Sequence, residues 1–118
     1  MDINENYLEI PECCEVINLV GAQRSDLNQL YFRSERLVRD RTLFIDSFSE
    51  AAVWFHGNGW MFGKVSDLIE GKIFTGLMHS IDENFVCPVD SEQWLEDDSG
   101  SWNINTNVYI KCDGKCIL

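Results

Sequence analysis

Ala52-Val53-Trp54-Phe55-His56-Gly57-Asn58-Gly59-Trp60-Met61-Phe62-Gly63 is the stretch on which the fold turns. Two aromatic, β-prone runs flank Gly57-Asn58-Gly59, and an Asn-Gly pair supplies the positive φ values that a tight hairpin turn requires. Period two puts Val53 and Phe55 on one face and Trp54 and His56 on the other, and separates Trp60 and Phe62 from Met61. Both faces of the expected hairpin are bulky, so one builds a core and the other is covered or functional.

Working outward, Val16–Val20 is a short apolar run ending at Gly21, which suits a strand and then a turn. Residues 27–38 read two ways. Leu27, Leu30, Tyr31, Leu37 and Val38 fall on a helical stripe with Ser25 or Asp26 as N-cap, whereas residues 29–33 and 41–46 also read as extended chain. Residues 73–79 read as a strand, bulged at Gly76. Asp90 and Gln93 resemble a capping box, opening a turn of helix over residues 91–96. Residues 102–111 alternate as one half-buried strand, with Trp102, Ile104, Thr106, Val108 and Ile110 on one face. The sum is a mainly β chain, an antiparallel small barrel or sandwich of six to seven short strands with at most one or two short helices. One domain over residues 16–118 follows an acidic N-terminal arm, residues 1–15.

Composition narrows the function. The chain has 118 residues, 45% of them hydrophobic, and a net charge of -11. That much apolar surface offsets the entropy of ordering, so the chain folds. The acidity excludes partners that need a basic face, nucleic acid and anionic membrane surfaces among them. It is also uneven: residues 1–16 carry five acids and no Lys or Arg, while Arg24, Arg33, Arg36, Arg39 and Arg41 all fall in residues 17–50. That arginine segment either grips an acidic partner or pairs with the chain's own acids. The tract from Glu96 to Gly100 lacks the ligand spacing of a calcium loop and reads as a solvated turn.

The start of the chain has neither a basic n-region nor an apolar run, so a cytoplasmic protein is expected, with Cys13, Cys14, Cys87, Cys112 and Cys116 as reduced thiols. Cys112 and Cys116, on a turn with Gly114, are the one pair spaced to share a zinc ion, but no second spaced pair completes the site. No cofactor is expected. His79 and Cys87 form an imaginable dyad, yet no nucleophile elbow, zinc-protease helix or phosphate loop is present, so no enzyme is expected.

The order of a strand, an Asn-bearing turn before Tyr31, aromatic strands at residues 43–45 and at Trp54, the Gly59-Trp60-Met61-Phe62-Gly63 unit, Pro88, Trp94 and Trp102 resembles a small tryptophan- and glycine-rich β domain of uncharacterised eukaryotic proteins. The resemblance spans about residues 16–111, departs from the pattern at Gln29, and implies extended structure for residues 27–38. It implies no activity or cofactor.

Four tryptophans in a small β domain serve mainly as core; the functional alternative is that Trp54, Trp60 and Trp102 present a flat π face to a proline-rich peptide, a cation or a sugar. The expected function is a non-enzymatic protein- or peptide-binding module whose contacts are Trp54, His56, Asn58 and Trp60 of the hairpin, with Arg33 and Arg36 of the basic segment. The alternative is a carbohydrate-binding module with exposed tryptophans beside Asn58, Asn105 and Asp97.

Overall fold

The computed structural model of the protein describes residues 13–81 and 85–113. Among the described residues, nine antiparallel strands form one curled, half-barrel sheet. They are β1 (Val16–Val20), β2 (Leu30–Val38), β3 (Arg41–Asp46), β4 (Ala51–Phe55), β5 (Trp60–Lys64), β6 (Met78–Ser80), β7 (Trp94–Asp98), β8 (Ser101–Ile104) and β9 (Tyr109–Cys112). From β1 to β8 each strand pairs with its neighbour in sequence, and β9 returns to the free side of β1. The hairpin lies at β4–β5, where His56 N donates to Gly59 O and Gly57 takes a φ of 115°.

The strand count exceeds the expected six or seven because residues 102–111 are two strands and β7 forms where a turn of helix was expected. β8 lies on β7, with Ile104 opposite Leu95, and β9 lies on β1, with Tyr109 opposite Val20. Between them the chain passes from one edge of the curled sheet to the other. Asn105 spans the gap: its N–H donates to Trp94 O at 2.9 Å and its Nδ2 to Gly21 O at 3.0 Å. A β carbon on Gly21 would fall 1.9 Å from Asn107 O, so the crossing requires glycine there. Each half keeps period two, but the faces do not continue: Ile110 is buried, whereas Trp102 and Ile104 are exposed.

The inner face holds the main core, built on Tyr31, Phe44, Val53, Trp60, Phe62 and Trp94. Phe62 meets Tyr31 and Trp94 edge to face, with centroids 5.2 and 5.3 Å away, a favoured arrangement of ring quadrupoles. On the outer face a second cluster of Leu43, Ala52, Trp54 and Met61 lies beneath a single turn of helix, α1 (Val65–Ile69), and Ile73. Trp54 Nε1 donates to Ile73 O at 2.8 Å, and a β carbon on Gly63 would lie 2.7 Å from the Trp54 ring. The glycine after the aromatic run is thus the space into which the indole fits.

The two readings of residues 27–38 are decided for strand over residues 30–38, since Tyr31 pairs with both Ile17 and Asp46 and two ladders outweigh the helical stripe. Two local expectations are corrected. The helical turn expected over residues 91–96 is instead a 3₁₀ turn at Pro88–Asp90 followed by β7. The strand expected over residues 73–79 is confined to β6 because residues 70–76 turn over the outer cluster, with Thr75 N donating to Lys72 O. Residues 1–12 of the expected arm lie outside the described residues, while Cys13 and Cys14 are buried with the core.

Candidate functional site

Period two on β4, β5 and β6 turns Trp54, Met61 and His79 outward in one cross-strand row. The α1 cover stops short of the hairpin end. Beyond it, four rings from four segments meet in line. Phe74 lies 5.6 Å from His56, His56 6.3 Å from His79, and His79 4.8 Å from Trp102, each pair steeply inclined. The Arg39 guanidinium extends the line, 5.9 Å from the Phe74 ring centre. Phe74 is 64% exposed and Trp102 41%, so the row ends in two open aromatic faces with half-buried imidazoles between them.

The imidazoles differ in state. His79 Nδ1 lies 2.8 Å from Ser80 O. A carbonyl only accepts, so His79 Nδ1 is the donor in this contact. His56 Nδ1 is buried with no hydrogen-bond partner among the described residues. Burial, then the neighbouring His79 and Arg39, hold the His56 pKa below the ordinary histidine value, so the row is uncharged at His56 near neutral pH.

This has a consequence for stability. The unfolded chain takes up a proton at position 56 at higher pH than the folded chain does, so stability rises with pH across that interval and is lost as pH falls below about 6.5. Calorimetric melting from pH 8 to 5 should show that decline begin in the wild type, and His56→Gln should flatten its first part. An identical slope in the variant would remove His56 as the source.

Of the expected contacts, Trp54 and Trp60 are fully buried and present no face. Their indole N–H groups donate to Ile73 O and Phe85 O, which lets both polar handles go inside. His56 is half-buried in the row, and Asn58 is exposed at the hairpin tip. Arg33 is half-buried, its Nη1 3.5 Å from Cys13 O, and Arg36 is exposed on the irregular part of β2. The arginines form no single grip, and Arg24, Arg33, Arg36 and Arg39 make no ion pair with an acid among the described residues; Lys72 and Glu70, both exposed, form one at 3.0 Å.

The expectation of reduced thiols is also corrected. Cys13 is joined to Cys87 and Cys14 to Cys112. Folding brings residues 74 and 98 positions apart to Cα separations of 5.7 and 5.6 Å, within the range that a disulfide spans. Cys112 is thereby withdrawn from the zinc turn, whose second ligand, Cys116, lies outside the described residues, and Cys87 from the imagined dyad.

A cavity of about 500 Å³ opens at the other end of the sheet, walled by Arg24, Asp46, Glu50, Lys64 and Leu77. The Asp46 carboxylate is occupied there by Gln29 Nε2 and Glu50 N. Phe74 is the residue that sequence reading did not assign to a site; Trp102 stood there as a candidate π face and His79 as half of the imagined dyad, but neither was placed in this row. Each was visible as an aromatic or histidine at a strand end, but their meeting depends on pairing across β6, β7 and β8. Comparison with protein-family models, curated proteins and solved structures finds no match.

Proposed function

We propose that the protein is a non-enzymatic module that binds a protein or peptide through the outer-face row of Phe74, His56, His79 and Trp102. The observation that carries this reading is the row itself: a line of rings, open at both ends, beside β8, whose outer edge pairs with no strand among the described residues. Aromatic surface and an exposed edge strand are the two elements from which peptide-binding sheets are made. The carbohydrate alternative keeps Trp102 as its exposed indole, but Trp54 and Trp60 are buried and Asn105 is committed to the chain crossing. The disulfides support work in an oxidising compartment rather than the expected cytoplasm, because thiol pools keep cytosolic cysteines reduced.

Selection from a displayed peptide library tests the reading. The wild type should enrich peptides whose binding falls at least tenfold on the double variant Phe74→Ser/Trp102→Ser. Both positions are exposed, so the fold survives. Enrichment indifferent to those two residues would sink the proposal, and a glycan that shifts Trp102 fluorescence where no peptide binds would favour the sugar reading instead.

A further inference from the structure

The geometry points to a specific occupant for the β8 edge: we propose that it takes one extended, basic segment of a partner protein as an added strand. This rests on the peptide-binding reading above and names the partner's chemistry. The phase of the β7–β8 ladder decides which groups are free. Asn105 N donates to Trp94 O, and the same register sets Asn103 opposite Glu96 and Ser101 opposite Asp98. Hydrogen-bonded pairs alternate along an antiparallel ladder, so Ser101 and Asn103 spend their main-chain groups on β7. The N–H and C=O of Trp102 and Ile104 therefore point to the open side. Asp97, opposite Trp102, agrees with that phase, since its N–H donates away from β8 to Leu77 O at 2.9 Å.

Four main-chain groups thus stand along an edge whose residues are all exposed, spaced as an incoming strand would meet them. Proteins blunt such edges with lysine, proline or a cover, and β8 has no lysine or proline.

Charge selects the occupant. No Lys or Arg lies between Lys72 and Lys111, whereas Asp90, Glu92, Glu96, Asp97 and Asp98 do. Asp97 stands directly across from Trp102 on the same face, with Asp98 next to it at the strand end. A second copy of a chain with net charge -11 would set these acids against their own kind, so self-pairing is opposed. A partner strand with Lys or Arg opposite Trp102 meets an open indole face and a carboxylate together, and both attract a cation. Two residues further along, the partner's next side chain on that face meets Ile104, 63% exposed, and an apolar residue suits it. The recognised pattern is basic, any residue, apolar, in extended chain.

The probe is a dye-labelled peptide Thr-Lys-Thr-Val-Thr-Lys-Thr-Val-Thr, compared with its counterpart carrying Glu for each Lys, by fluorescence anisotropy on the full chain. Saturable binding of the Lys peptide is expected, at least tenfold tighter than the Glu peptide, and weakened several-fold between about 50 and 300 mM salt. Attraction by net charge alone would produce both effects, so the deciding comparison is Ile104→Pro against Ile104→Ala. Proline removes the outward N–H and alanine keeps it, and Ile104→Pro should bind at least fivefold more weakly than Ile104→Ala. Should Ile104→Pro fail to fold, Trp102→Pro against Trp102→Ala supplies the same decision at the other outward N–H, with a loss of fivefold or more. Equal binding by the paired variants, full binding by Trp102→Ala, or no binding of the Lys peptide overturns the β8 assignment. The library selection judges the broader reading independently: peptides that need Phe74 and Trp102 but ignore Ile104→Pro would leave the module a peptide binder and this edge unused.

Discussion

Reduction of the disulfides should lower the melting temperature by about 15 °C or more. Each bond closes a long loop, between residues 74 positions apart for Cys13–Cys87 and 98 for Cys14–Cys112. Chain-entropy reasoning assigns loops of this length about 4 kcal/mol each, with the mechanism dependent on that model. The two contributions do not add in full, because Cys13 and Cys14 are adjacent and the first closure shortens the path left to the second. Against a typical stability of about 5–15 kcal/mol, losing even one is severe, and for a chain of this size 1 kcal/mol corresponds to roughly 4 °C. The structure adds a reason in the native state. Cys13 and Cys14 lead into β1, Cys87 lies in the connection between β6 and β7, and Cys112 ends β9. The pair therefore ties the start of β1 both to its ladder partner and to the connection that leads into β7. Scanning calorimetry with and without a phosphine reductant reads the shift, and the intact mass before and after reduction should differ by the hydrogens of two disulfides. The variant Cys13→Ala/Cys87→Ala should lose about 3–4 kcal/mol by itself. An oxidised and a reduced protein that melt together would reject the crosslinks as structural.

How far the sequence led can be seen residue by residue. Ala51–Phe55 and Trp60–Lys64 were legible because turn chemistry and alternation agree within a dozen residues. The β character of the chain followed from the same local signals. What failed was everything that depends on a partner distant in sequence. Residues 27–38 read both as a helical stripe and as extended chain, and only β1 and β3 on either side decide for the strand. Residues 102–111 alternated without a break, yet the strand changes partner at Asn105, a switch that no period can signal. Trp54 and Trp60, the most prominent site candidates, are core because both faces of the hairpin are covered, one by the curled sheet and the other by α1 and Ile73, and nothing in residues 52–63 reveals a cover that comes from residues 65–73. The candidate row has the opposite history. Trp102 and His79 drew separate readings, as a π face and as half of a dyad, and they join Phe74 in one surface only when β6, β7 and β8 align. The cysteines show the same limit, since an odd number invited a reading as free thiols while their pairing is wholly a matter of the fold.

Glu96→Ala should cost about 4 kcal/mol, more than a surface acid has any reason to contribute. The acidic tract from Glu96 to Gly100 looks like a solvated turn, but β7 begins at Trp94, and period two sends Glu96 inward with Trp94 while Asp97 faces out. Glu96 is 2% exposed. Its Oε1 accepts from Gln23 N at 2.9 Å and from Asn105 Nδ2 at 2.8 Å, and its Oε2 accepts from Arg24 N at 2.9 Å. These donors belong to the turn after β1 and to the crossing between β8 and β9. One carboxylate on β7 thereby binds the far edge of the curled sheet to the near one, at a place where no strand ladder joins β7 to β1. Hydrogen bonds to a charged acceptor are worth about 1.5–3 kcal/mol each, and truncation leaves three donors without a partner where water enters poorly. Glu96→Gln preserves the shape but must aim an N–H₂ at either Arg24 N or the Gln23 and Asn105 donors, so it should lose about 2 kcal/mol while packing is unchanged. Asn105→Ala should cost a similar amount, and the double variant Glu96→Ala/Asn105→Ala less than the two singles together, because they share a bond. Chemical denaturation reads these values, and hydrogen exchange at the Gln23 and Arg24 amides reads the cause, since both should be protected in the wild type and exchange faster in Glu96→Ala. A Glu96→Ala protein that keeps its stability within about 1 kcal/mol and its amide protection would mean that the disulfides and the inner core close the sheet unaided.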